Sequence, residues 1–144
     1  MYLRIRGDEF TSALLSEIGA ITDRSLISPA DVGFDEPAGL LRVPVRRFKV
    51  TRRKKFLGSI APYARDMSNP ISCTITIRGV GSCTVVRSRE GPTLSEVTML
   101  FGLKLDGRRV YFCSAEEEHG TPCYSLRAEL ATLDIELRDE DEED

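Results

Sequence analysis

Between Ile71 and Arg78 the sequence alternates strictly, with Ile71, Cys73, Ile75 and Ile77 on one side and Ser72, Thr74, Thr76 and Arg78 on the other. A period of two puts apolar side chains on one face of an extended strand and polar ones on the opposite face, as in a strand half-buried against a core. Such a strand requires a sheet with one apolar face and a second layer to cover it. Gly79-Val-Gly81 then turns the chain into a further strand at Ser82 to Val86. A second alternating run, Val97, Met99, Phe101, Leu103 and Leu105, meets Asp106-Gly107 and returns as Val110 to Cys113, a strong short-range hairpin signal.

The remaining segments fit around this β framework. Met1 to Arg6 alternates as a strand. Asp8 can cap an amphipathic helix running to about Ile18, with Phe10, Leu14 and Ile18 on one face and Gly19 placed to end it. Ser28-Pro-Ala-Asp31 carries the signals of a single helical turn, inside a loop extending to Gly39 that is the least ordered part expected. Leu41, Val43 and Val45 alternate in one phase and Phe48 and Val50 in the other, so Arg46 and Arg47 mark a β-bulge. Pro44 makes this run an edge strand. Residues 124 to 137 satisfy both a helical leucine stripe and a strand alternation. Strands are preferred, as a second hairpin about Glu118 with a slip near Ala131-Thr132. The fold class expected is mainly β, a small antiparallel barrel or two-layer sandwich of about six to eight strands with one N-terminal amphipathic helix. One domain is expected over residues 1–138, followed by an acidic tail over 139–144.

The formal net charge of −3 conceals a strong polarity, because residues 139 to 144 are all acidic and leave a net positive remainder. Residues 42 to 55 contain Arg42, Arg46, Arg47, Lys49, Arg52, Arg53, Lys54 and Lys55 and no acid. Two readings compete for these cations. They can guard an exposed strand edge against pairing with other chains, or they can bind an anionic partner, with the acidic tail as intramolecular competitor. Phe48 and Phe56, interspersed among them, could stack on bases, although the alternation of Phe48 with Val50 fits a core position better.

Apolar runs are far shorter than the roughly 20 residues that cross a bilayer, so membrane insertion is not expected. The charges among the first six residues replace the apolar segment of a secretory signal, and a cytoplasmic location follows as an expectation. The four cysteines, at 73, 83, 113 and 123, repeat a ten-residue spacing that fits strand pairs and not a zinc knuckle. Cys113, His119 and Cys123 are nevertheless the candidate metal ligands, with Cys73 or Cys83 as a fourth. Free thiols, no metal and no cofactor are the expectation. His119, the single histidine, could activate Cys113 or Cys123 as a nucleophile, but no third orienting group is indicated. Arg78-Gly-Val-Gly81 lacks the glycine pattern of a dinucleotide site, and no P-loop lysine motif occurs.

Two short stretches resemble known families. Arg42-Val-Pro-Val-Arg46 followed by Asp66-Met-Ser68 resembles fragments of the PilZ cyclic-di-GMP module, with Ile71 in place of its glycine. Leu100-Phe-Gly102, Tyr111, Glu116 to Glu118 and Ser125-Leu-Arg127 are similar to the opening strands of nucleoplasmin-type histone chaperones, whose later strands find no place after residue 137. Neither is adopted. The sequence therefore points to a non-enzymatic binding or adaptor domain, contacting an anionic macromolecule such as nucleic acid or an acidic protein through a basic edge strand. The alternatives are a small-ligand or enzymatic pocket that includes His119, Tyr111 or Arg78, and a structural subunit of a homo-oligomer.

Overall fold

The computed structural model describes residues 1–7, 12–51, 64–87, 97–114 and 124–140. Among them the chain forms eleven strands and one α-helix: β1 (Tyr2–Arg6), α1 (Ser12–Thr22), β2 (Ser25–Ile27), a 3-10 turn (Pro29–Asp31), β3 (Gly33–Asp35), β4 (Leu40–Thr51), β5 (Ala64–Ile77), β6 (Val80–Arg87), β7 (Thr98–Leu100), β8 (Lys104–Asp106), β9 (Arg109–Cys113), β10 (Tyr124–Leu130) and β11 (Asp134–Asp139). They build two antiparallel sheets. The larger has the order β1-β11-β5-β4-β2-β7, with β3 also paired to β4, and the smaller has the order β6-β10-β9-β8. The sheets do not close into a barrel, so the sandwich alternative is the one realised.

Alternation on each strand supplies the core. Ile5, Leu41, Val43, Val45, Cys73, Ile75, Ile77, Ile135 and Leu137 from the larger sheet join Val80, Val110, Phe112, Tyr124, Leu126, Ala128 and Leu130 from the smaller one in a single buried cluster. Ile18 of α1 belongs to the same cluster, and α1 packs against β4 and β8. The helix runs past Gly19 to Thr22, with the Thr22 hydroxyl donating to the Ile18 carbonyl at 2.7 Å. Arg24, at φ 60°, supplies the left-handed residue after its end. Gly19 serves instead as a contact point, because a Cβ on the facing Gly102 would run into the Gly19 carbonyl oxygen. Asp8 and Phe10 lie outside the described residues.

Several expectations are met. The strand at Ile71 to Ile77 is half of β5, β8 and β9 form a hairpin across Gly107-Arg108 with Gly107 at φ 61°, and residues 124–130 and 134–137 lie in strands. The expected slip near Ala131-Thr132 is a change of sheet: β10 ends in the smaller sheet and β11 begins in the larger. In the β9–β10 pair Cys113 faces Ser125, two residues beyond the Cys123 that symmetry about Glu118 would give. The segment up to Gly39 is more regular than expected, since β3 pairs with Leu40–Arg42.

Three expectations are overturned. Over Leu40–Arg46 β4 is not an edge strand: β5 pairs with it on one side, and β3 and β2 pair with it on the other, whereas from Arg47 to Thr51 it pairs with β5 alone among the described residues. Pro44 is tolerated because β3 reaches only to Arg42 and β2 pairs only from Val45 onward, so on that side Pro44 lies in a gap where no ladder donor is required. The Val97–Leu105 run is not one strand, and its phase is reversed: Leu100 is buried while Val97, Met99 and Phe101 are 49%, 39% and 40% exposed. The reversal follows from the loop at Phe101–Leu103 docking on the end of α1, where Asp23 accepts from the Gly102 amide at 3.1 Å and Thr22 from the Leu103 amide at 2.9 Å. Finally, Cys73 and Cys83 are not cross-strand neighbours, since β5 and β6 belong to different sheets.

Candidate anion-binding face

The bulge predicted from the phase change lies between Arg47 and Lys49, where pairing jumps from Arg47 opposite Ile71 to Lys49 opposite Asp66. It turns two consecutive residues inward, and Arg47 and Phe48 are both buried. The basic run is thereby sorted. Arg42, Arg46 and Lys49 are exposed, whereas Arg52, Arg53, Lys54 and Lys55 lie outside the described residues, in the connection from Thr51 to its partner Ala64.

Arg47 contributes to the fold. Its Nε and Nη2 donate to the two carboxylate oxygens of Asp139 at 2.9 and 2.6 Å, the parallel geometry in which guanidinium and carboxylate pair best. The Met1 amine lies 3.1 Å from the same carboxylate. Burial alone would push the Asp139 carboxyl up, but the hydrogen bonds from Arg47 and the Met1 amine together hold it below the ordinary carboxylate range. Cys73 lies opposite Asp139 in the β5–β11 pairing, and burial, reinforced by that carboxylate, pushes its thiol up to about 12. Asp139, first of the six terminal acids, thus closes β11 inside the core. The next, Glu140, is exposed; its amide donates to the Ser72 carbonyl at 2.9 Å and its carboxylate accepts from the Thr74 hydroxyl at 3.2 Å. Residues 141–144 lie outside the described residues.

The outward face of the larger sheet collects charge from strands distant in sequence. Arg4 on β1 donates through two nitrogens to Asp134 on β11, both at 3.0 Å, which raises the Arg4 pKa and lowers that of Asp134. Arg78 pairs with Glu136 at 2.9 Å, and Arg138 lies 3.5 Å from Glu136 and 4.9 Å over the Tyr2 ring. Arg42 and Arg46 point from β4 on the same face and have no ion pair among the described residues. The contributions of Arg4, Arg78 and Arg138 are not legible in the sequence, because β1 meets β11, and β11 meets β5, only through long-range pairing. Their one local signal is the alternation of charge with apolar residues at both ends of the chain.

Beside Arg46 the face is indented by a cleft of about 430 Å³, lined by Leu26, Ser28, Asp31, Pro44, Arg46, Ser72, Val97 and Glu140 among others. The 3-10 turn over the gap beside Pro44 forms one wall. Pairing across the sheet places Ser72, Arg46, Leu26 and Met99 in a single row. No protein-family model, curated protein or solved structure matches this chain.

The other candidate residues do not converge. Cys113 closes β9, half-buried, with its partners His119 and Cys123 outside the described residues. Tyr111 is on β9 of the smaller sheet, while Arg78 is on the far side of the larger one, engaged with Glu136. Among the described residues no group of three or more His, Cys, Asp and Glu could hold a metal ion. No helix described is long and apolar enough to cross a membrane.

Proposed function

We propose that this protein is a non-enzymatic binding domain that contacts an anionic partner through the outward face of its larger sheet, with Arg42 and Arg46 as the primary contacts and Lys49 beside them. One observation carries this reading: both arginines project from an interior strand, exposed and without an ion pair among the described residues, while Arg4, Arg78 and Arg138 on the same face are each paired with an acid. Over Leu40–Arg46 the strand has partners on both sides, so edge protection does not account for Arg42 and Arg46. Exposed guanidiniums cost little to keep hydrated and offer planar, bidentate donors to carboxylate or phosphate.

The acidic run fits as an intramolecular competitor, since Glu140 already lines the cleft that Arg46 borders. The proposal is tested by titrating labelled anionic probes against the protein and its Arg42→Ala/Arg46→Ala variant over a range of salt. Binding that depends on both arginines and weakens as salt rises supports it. Equal binding by the variant at low salt refutes it. Neutralising Asp141, Glu142, Glu143 and Asp144 to amides should strengthen binding at low salt and leave the fold intact, because Asp139 is retained.

A further inference from the structure

Resting on the reading above, we infer that the partner is a protein segment presenting a single acidic side chain among apolar ones, and that it lies across the cleft with its acid on Arg46 and its apolar residues on Leu26, Met99 and Val97. Three features select this chemistry over a polyanion. The first is the row Arg46–Leu26–Met99, one side chain from each of three adjacent strands, which spans roughly 10 Å at the spacing of neighbouring strands. It presents a cation at one end and apolar surface at the other, and its length exceeds what one amino-acid side chain covers.

The second is the apolar part itself. Met99, the end of this row on β7, is 39% exposed, Val97 just before β7 is 49% exposed, and Pro44 and Leu26 line the cleft. Large side chains held in water on an otherwise charged face are an unsatisfied surface that an apolar partner residue would cover. Phosphate and sugar would not cover it.

The third is the placement of acids. Asp31 and Glu140 line the same cleft as Arg46. They repel a partner carrying several adjacent negative charges and leave room for one acid aimed at the guanidinium, so the site discriminates by repulsion as well as by attraction. Nucleic acid fits poorly for the same reason. It also finds no aromatic ring to stack on in the row Arg46–Leu26–Met99.

The test uses fluorescence polarisation with three probes: a short capped peptide with one glutamate between leucines, a capped polyglutamate of equal length, and an oligothymidylate. The leucine–glutamate peptide should bind most tightly. Arg46→Ala should weaken it about tenfold, as expected for loss of a hydrogen bond to a charged group. Met99→Ser should weaken it several-fold, through loss of roughly half a side chain of apolar contact, and leave polyglutamate binding unchanged. Asp31→Asn should strengthen polyglutamate binding. Should polyglutamate or oligothymidylate bind most tightly in an Arg46-dependent way, or should Met99→Ser leave the leucine–glutamate peptide unaffected, this inference falls and the anionic-partner reading stands. If no probe binds in an Arg46-dependent way, both fall.

Discussion

Replacing Asp139 by asparagine should be among the most damaging single substitutions in the chain, although it preserves size and shape. In the native state Arg47 is 8% exposed and Asp139 6%, and the two share parallel hydrogen bonds of 2.9 and 2.6 Å. The asparagine side chain would accept one of these bonds through its oxygen and turn its amide nitrogen toward the other guanidinium nitrogen, leaving a buried positive charge without its counter-charge. Breaking a buried pair from one side costs about 3–5 kcal/mol. For a chain of this length that corresponds to a fall in Tm of roughly 10 °C or more. Urea unfolding followed by circular dichroism measures it, with the midpoint shifted and the slope unchanged. Arg47→Leu/Asp139→Leu should recover most of the loss, because an apolar pair removes the uncompensated charge. If both single variants, Asp139→Asn and Arg47→Leu, stay within about 1 kcal/mol of the wild type, the pair behaves as a solvated surface ion pair and the assignment of Arg47 to the core is wrong.

The same carboxylate should govern acid stability. A depressed folded-state pKa at Asp139, and likewise at Asp134, gives stabilisation that is complete above the ordinary carboxylate value of about 4 and is lost as pH falls through the folded value, so unfolding free energy should drop below about pH 4 and drop less steeply in Asp139→Asn. Cys73, with its thiol pushed up to about 12 by burial, should resist a thiol-specific reagent at about pH 8 in the native protein and label fully in urea, as read by peptide mass spectrometry; rapid native labelling would contradict its placement. Gly102→Ala should destabilise by about 1–3 kcal/mol, because its Cβ meets the backbone of α1 at Gly19, whereas Gly33→Ala, with open space around it, should change stability by less than about 1 kcal/mol. Thermal unfolding compares the two directly.

What could be read from the sequence was local. The alternation of Ile71 to Ile77, the Asp106-Gly107 turn and the extended character of residues 124–130 all reflect neighbours in the chain, and each is realised. What could not be read depended on which strands meet. Pro44 suggested an edge because proline lacks a donor, but a strand can be interior and still pass a gap in its neighbours, as β4 does between β3 and β2. The reversed phase of Val97 to Phe101 came from the docking of Gly102 on Gly19, a contact between residues far apart in sequence. Arg47 looked like any other cation in its run until the bulge turned it toward Asp139. The same long-range pairing assembles Arg4, Arg78 and Arg138 around Asp134 and Glu136, and this contrast makes it informative that Arg42 and Arg46 have no ion pair among the described residues. The bulge and the two arginines were visible in the sequence, whereas their setting on an interior strand beside a cleft was not.

The most direct test of the binding face is the affinity for a labelled anionic peptide at low salt, compared between the wild type and Arg42→Ala/Arg46→Ala, with Arg4→Ala as a control for general loss of charge. Loss of about tenfold or more in the double variant, with little change in the control, is the result predicted. Equal losses in both, or none in either, would contradict a site built on Arg42 and Arg46 of β4.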